Sequence, residues 1–281
     1  MNKCSGGWKN IAFLFPSFLG VSIFVLVPFL DVVRRSFTDV TGEQFTGFDN
    51  YKMVFASPAF RLAMGNTWKF LMVCVPALMV LSLLLAAIVC GLEKKARRKC
   101  LYRNVCLLPM AVPVASLVFV WNVLFHEHGI LNSYFGSSVD WLHSSYTFAV
   151  LVISFLWKNM GYFVVLWLTG LEGIPESQYE AAALDGASRM ARFWYITLPG
   201  LRHMAIAVFI LTLTRTFQSY REAYLLAGEY PDKSIYLIQH LLHNWFRDMS
   251  MEKMSASAVV IVCVFAVIVY AFCKKGGEKI A

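Results

Sequence analysis

The sequence predicts an all-α polytopic membrane protein, and three observations lead there. Hydrophobic residues fill 58% of the 281 positions and charged residues only 15%, against about a quarter charged in an average soluble domain. Mean hydropathy is +0.60. The apolar residues also fall in blocks near the ~20 residues a helix needs to cross a bilayer. Six such blocks stand at roughly 11–30, 67–90, 105–125, 147–171, 203–220 and 257–273. Hydrocarbon offers the backbone no water, so each block is expected as a helix. A barrel would show short alternating segments, and none is visible.

The first block follows Lys3 and Lys9. Its apolar run is too long for a signal peptide and lacks a small-residue cleavage pattern, so it reads as a retained helix. Net charge is +8, and its distribution argues topology rather than nucleic-acid binding. With both termini inside, the inner segments hold 14 of the 25 Lys and Arg, six of them in GLEKKARRKCLYRN (Gly91–Asn104). The outer segments hold eight, and the 126–146 loop has none. That asymmetry follows the positive-inside rule. The seven cysteines (Cys4, Cys74, Cys90, Cys100, Cys106, Cys263, Cys273) fall in spans or on the inner side, where disulfides are not expected. Trp8, Tyr102, Trp121, Trp141 and Tyr146 lie near block ends, as an interfacial aromatic belt would.

Two outer helices are expected. One is opened by Asp49 or Asn50, after turn residues. The other lies in SIYLIQHLLHNWFRDM, capped by Ser234, with Ile235, Ile238, Leu242 and Trp245 at helical spacing.

Between the fourth and fifth blocks runs a hydrophilic interlude, 175–200, containing YEAAALDGASRMARFWYITLPG. Pro175 suits a first helical turn, and Gly186 stands where a left-handed C-terminal residue is needed. Ser188 can cap a second helix through Trp194 and Tyr195. The segment therefore reads as a helix–turn–helix on the inner face. Ala181, Ala182 and Ala183 permit close approach of a partner, with Glu180 and Asp185 adding charge. A solvated interfacial loop would use similar residues.

Glu180-Ala181-Ala182, Gly186, Ile196 and Leu198-Pro199 stand at the spacing E-A-A-x3-G-x9-I-x-L-P. Seven fixed residues would coincide by chance on the order of once in 10^8 start positions. This resembles the cytoplasmic loop of permease subunits in binding-protein-dependent ABC importers. FLFPSFLGVSIFVLVPFLDVVRRSFTD, GFDNY, MGNTWKF, VWNVLFHEHGILN and WKNMGYFVVLWLTGLEGIPESQYEAAALDGAS look like successive blocks of the carbohydrate branch, similar to first-subunit permeases for maltose, multiple sugars and glycerol 3-phosphate. Nearly the whole chain is covered. One departure is LLAGEYPDKS, where many relatives have a Gly-Gly-Pro turn; Glu229 and Tyr230 separate Gly228 from Pro231.

The resemblance implies a single transmembrane domain over 1–281, six spans with both termini cytoplasmic, and a coupling helix within 175–200. Glu180, Ala181, Ala182, Asp185, Gly186, Ile196, Leu198 and Pro199 would engage an ATPase. It also implies a bacterial plasma-membrane location, a second permease subunit, two ATPase subunits and an extracellular or periplasmic sugar-binding protein. The chain has no G-x-x-x-x-G-K-[ST] loop, so ATP and Mg²⁺ are expected on the partner ATPase and no cofactor here.

Sugar pathways use polar groups for hydroxyls and aromatic faces for the ring. Lys158, Asn159 and Tyr162 in the fourth block, with Arg215 and Gln218 in the fifth, are the candidates. A charge at mid-bilayer costs about 2.5–3.5 kcal/mol, which points Lys158 and Arg215 towards a polar interior; snorkelling or pairing with the partner permease would also accommodate them. His126 with His128, and His240 with His243, each lack further ligands for a metal. No nucleophile–base set stands at a family spacing. An ion-coupled secondary transporter is the alternative, and its matching broken helices and internal repeats are not visible.

Overall fold

The structure, a computed structural model, describes residues 7–92, 96–142, 144 and 146–277. Lys3, Cys4, residues 93–95 of the basic loop, and the side chains of Trp8, Lys9 and residues 96–103 lie outside the described residues. In chain order the helices are α1 (Gly7–Val21), α2 (Val27–Arg35), α3 (Asp49–Ala56), α4 (Pro58–Leu92), α5 (Ala96–Ala111), α6 (Val114–Phe125), α7 (Ile130–Phe135) and α8 (Thr147–Glu172). There follow α9 (Glu176–Leu184), α10 (Arg189–Arg192), α11 (Leu198–Gly200), α12 (Arg202–Phe217), α13 (Tyr220–Ala227), α14 (Ile238–Arg247) and α15 (Met251–Gly277). Wider π-helical turns at Ser22–Leu26 and Phe193–Thr197 join α1 to α2 and α10 to α11. Among the described residues β-pairing is limited to one bridge, Thr38 to Phe45.

Five helical segments are long and apolar enough to cross a membrane: Leu14–Arg35, Pro58–Cys90, Val114–Phe135, Thr147–Glu172 and Met251–Lys274. A sixth arises only if Arg189–Gly200 and Arg202–Ala227, which meet at 67°, count as one bent span. The third and fifth expected blocks therefore differ from the observed helices. Pro113 separates α5 from α6, because proline lacks an N–H and drives its predecessor out of helical geometry. The crossing segment consequently starts at Val114 rather than near 105. The fifth block is interrupted at Gln218–Ser219, between α12 and α13.

The described residues within Met1–Arg61 and Leu241–Val267 form one compact unit, and those within Leu62–His240 and Ile268–Ala281 another. In the first, Phe37 packs on Phe45, Phe48 and Tyr51. Buried Asn50 donates its amide to the Ser36 and Thr38 carbonyls at 3.0 and 2.7 Å. Asp49 is the first residue of α3, as expected, while Asn50 pins the preceding loop.

In the second unit the core gathers Phe70, Cys74, Leu78, Leu151, Phe155, Phe163, Trp167 and Val208 from α4, α8 and α12. A buried polar link crosses it: Trp167 Nε1 donates to Ser82 Oγ at 3.1 Å. The start of α14 differs from expectation. Ser234 lies in a turn whose N–H bonds Asp232; the helix opens four residues later, where Thr67 Oγ1 accepts from the Ile238 N–H at 2.9 Å. A hydroxyl from α4 thus does the work of a local cap. Cys74, Cys90, Cys106, Cys263 and Cys273 are free thiols.

Helices α5 and α8 approach each other closely. A Cβ at Gly161 would lie 1.5 Å from the Cys106 carbonyl oxygen, so the two backbones touch there. Small residues allow such approach in a bilayer, where dispersion rather than the hydrophobic effect holds helices together. Gly161→Ala is therefore expected to cost at least the ~1–3 kcal/mol of ordinary overpacking, seen as a lowered melting temperature of the detergent-solubilised protein. Gly65→Ala, with nothing within 4 Å of its Cβ, should instead gain up to about 1 kcal/mol from helix propensity. Equal melting temperatures for both variants would contradict the α5–α8 contact.

Candidate functional site

Two regions of the second unit bring the sequence-predicted site residues together. The first is the interlude. Pro175 is the extended residue before α9, one position earlier than its expected helical turn. The helix then ends in a Schellman motif: Ala187 N–H bonds the Ala182 carbonyl at 2.9 Å and Gly186 N–H the Ala183 carbonyl at 3.1 Å. Gly186 has φ +77°, the left-handed conformation expected of it. Ser188 Oγ accepts from the Ala191 N–H at 3.2 Å and caps α10.

What fixes this helix–turn–helix is its return arm. Tyr179 and Thr197 share a hydroxyl hydrogen bond of 2.9 Å, tying α9 to the π-helical turn. Gly200 allows Ile174 to pack within 2.9 Å of its would-be Cβ, and Leu201 is buried beside Gly170. Tyr179 and Ala182, three residues apart, turn partly inward. Glu180, Ala181, Ala183, Asp185 and Gly186 are left exposed, so only two of the three alanines face outward. Leu184 is 90% exposed, and Met190, Trp194 and Tyr195 are also exposed. Ile196 is half-buried in the return arm, whereas Leu198 and Pro199 are exposed on it. Glu180 has no hydrogen bond or ion pair among the described residues. The result is a rigidly held edge that offers the unpaired carboxylates of Glu180 and Asp185 amid small and apolar side chains.

The second region is a cavity of about 480 Å³ lined by α5, α6, α8, α12 and α13. Lys158, Asn159, Arg215 and Gln218 line it, as do Arg221 and Glu222. Tyr162 does not line it; its ring lies under Arg215, 5.8 Å from the guanidinium. Asn159 is tied to its own helix by one N–H, which donates to the Phe155 carbonyl at 2.8 Å. Lys158 Nζ is 2.8 Å from Glu222 Oε1, with both side chains nearly nine-tenths buried. Lys158 therefore neither snorkels nor awaits a second subunit.

Glu222 is the residue that sequence reading missed. Its signal was the demand of Lys158 itself: a cation inside an apolar helix calls for a carboxylate, and Glu222 follows the fifth block directly. His126 Nδ1 accepts from the His128 N–H at 3.2 Å, and His240 Nδ1 from the Leu237 N–H at 3.2 Å, so both rings serve local structure. In the departing turn, Gly228 has φ +75° and Tyr224 donates to Glu229 at 3.4 Å.

Removing one partner of a buried pair strands the other charge. Glu222→Gln or Lys158→Met alone should destabilise by about 3–5 kcal/mol. The double variant Lys158→Met, Glu222→Leu should recover most of that loss. Thermal melts of the four proteins in detergent give the cycle, and additive losses in the double variant would contradict the pairing.

Residues 80–274 match the model of the binding-protein-dependent transport system inner membrane component family. Among characterised sequences the chain is similar to the trehalose/maltose transport system permease protein MalF of Thermococcus litoralis, 30% identical over 83% of this chain and 81% of that one. It is likewise 29% identical to the sulfoquinovosyl glycerol transport system permease protein SmoG of Agrobacterium fabrum, over 92% of this chain and 88% of the other. Its fold matches a chain of a bacterial ABC transporter that imports the acidic polysaccharide alginate, with TM-score 0.83, 20% identity, and coverage of 98% and 96%. An all-helical fold with multiple membrane-spanning helices, a match over most of its length and similarity across nearly the whole of several permeases lead to one conclusion: the chain belongs to the family of inner membrane components of binding-protein-dependent transport systems.

Proposed function

We propose that this chain is the permease subunit of an ATP-driven carbohydrate importer in a bacterial plasma membrane. The observation that carries this reading is the helix–turn–helix of 176–200: its outward edge presents Glu180, Ala181, Asp185 and Gly186, while its return arm is anchored by Tyr179, Ile174 and Leu201. A surface built to be gripped yet unable to move independently of α12 is what transmission of a conformational change requires. Trehalose, maltose and lactose in the names of similar permeases support a carbohydrate as cargo.

In this reading the chain spans the membrane six times, the bent pair counting as the fifth span, with both termini in the cytoplasm. It works with a second permease subunit, two ATPase subunits that hold ATP and Mg²⁺, and an extracellular or periplasmic sugar-binding protein. A solved relative in complex with an oligosaccharide-bound periplasmic protein supports the last partner. The chain itself catalyses nothing. Closure of the ATPases would pull the 176–200 edge and expose the polar cavity alternately to the two sides.

The test is uptake by the assembled transporter in proteoliposomes containing ATP. Gly186→Pro cannot adopt φ +77° and loses the N–H that closes the Schellman motif. Glu180→Ala removes one of the two unpaired carboxylates on that edge. Both are expected to reduce ATP-dependent uptake by roughly tenfold or more, with the protein still inserted in the membrane. Wild-type uptake by both variants would exclude the coupling role. Uptake that persists without the ATPases would point instead to an ion gradient.

A further inference from the structure

We infer that the substrate carries an anionic substituent, a carboxylate or a phosphate ester, read by Arg215 and Arg221 in the charged cavity; this rests on the importer reading and narrows its cargo.

The cavity's polar lining is dominated by charge. Lys158, Arg215 and Arg221 stand against one carboxylate, Glu222. Lys158 and Glu222 neutralise each other at 2.8 Å, which leaves a surplus of two guanidinium charges. Neither arginine has an ion-pair partner among the described residues. The remaining wall includes apolar Met110, Val114 and Phe155, and low-dielectric walls strengthen the field of charges they enclose.

The geometry also leaves the arginine edges available. Arg215 stands over the Tyr162 ring, 5.8 Å from its centroid, a cation–π contact that holds the guanidinium without consuming its N–H donors. Both arginines are exposed within this chain, as is Gln218 beside them. Arg215 lies thirteen residues along α12 from Arg202, about 20 Å at helical rise, a depth at which an uncompensated charge is not placed against lipid. Amides and aromatic rings for a sugar are present in the same lining (Asn159, Gln218, Phe155, Tyr220), but a neutral sugar would not call for two guanidiniums without a counter-charge. Guanidinium forks match carboxylate and phosphate oxygens two at a time. The cavity's surplus is the complement of a negatively charged ligand.

The experiment gives the assembled transporter, with its receptor, digalacturonate, glycerol 3-phosphate or maltose in ATP-loaded proteoliposomes. Uptake of at least one anionic probe is expected to exceed that of maltose by roughly tenfold or more. Preference for digalacturonate identifies a carboxylated glycan, and preference for glycerol 3-phosphate a phosphate ester. The double variant R215Q/R221Q should lose that preference while assembling at wild-type stoichiometry; R215K/R221K, which keeps both charges, should restore part of it. Should R215Q/R221Q fail to assemble, the lysine pair and the probe comparison still decide. Maltose uptake equal to or above both anions, no uptake of either anion, or unchanged preference in R215Q/R221Q would overturn the inference. ATP-dependent maltose uptake would leave the importer reading standing, whereas ATP-independent uptake would remove the importer reading itself.

Discussion

A backbone that runs through hydrocarbon has to satisfy its own N–H and C=O groups, and two of the helix breaks among the described residues determine where the polar cavity sits. One is the break at Val112–Pro113, the other at Gln218–Ser219. Local bonds repair both: Val112 N–H to the Pro109 carbonyl, Ser219 Oγ to the Thr216 carbonyl, and Gln239 Nε2 to the Phe217 carbonyl. Irregular backbone at membrane depth is tolerated where protein buries it or a polar cavity borders it. Met110 and Val114 flank the first break, Gln218 and Tyr220 the second, and all four line the same cavity. The charges follow from that. Lys158 and Arg215 are sustainable within helices because the breaks have already opened a polar space beside them.

The same helix that borders the cavity is fastened at its other end to the interlude. Leu201 is buried at the 67° bend between α11 and α12, and the Tyr179–Thr197 bond closes the loop behind it. Neither link is strong by itself; a neutral hydrogen bond contributes about 1 kcal/mol net. Their value is geometric. With Ile174 against Gly200 and Met204 against Gly170, α9 cannot shift without taking the start of α12 along. Sixteen residues of helix then extend from that joint to Phe217, about 24 Å at helical rise, and end at the break beside Arg215 and Gln218. Under the proposed function, this rod is the path between the motor and the cargo.

How much of this was legible in the sequence varies with the range of the interaction responsible. The helix–turn–helix was legible almost to the residue, because its determinants are local. Gly186 must be left-handed and Ser188 must cap, whatever surrounds them. Four of the five cavity candidates were also legible, since a cation or amide within an apolar block has few places to go. Long-range partners were not. The cap of α14 comes from Thr67, 171 positions away, so the local serine, Ser234, looked sufficient and was wrong. Glu222 was passed over because it stands just beyond an apolar block, where a carboxylate needs no explanation until Lys158 is seen 2.8 Å away. The break at Gln218–Ser219 leaves no proline or glycine as a marker; it arises where hydroxyls at Thr214, Thr216 and Ser219 compete for backbone carbonyls.

Exposure has to be weighed by chemistry in such a chain. None of the most apolar window of Leu14–Arg35 is buried, yet this alone does not call for a protein partner, because lipid tails solvate leucine and valine as well as a neighbouring helix does. Exposed charge within a span is different, since lipid has nothing to offer a guanidinium. Arg215, Gln218 and Arg221 are exposed on one side of the second unit and border a cavity that already contains one satisfied ion pair. Their surroundings must therefore supply water, ligand or polar protein. Glu180, on the interlude, poses the opposite case: outside the hydrocarbon, an unpaired carboxylate is no burden, and what marks that surface is the apolar company of Leu184, Met190 and Trp194. Water penalises that company much as lipid penalises the arginines, so each region is stable as it stands only in an environment that this chain does not provide for itself.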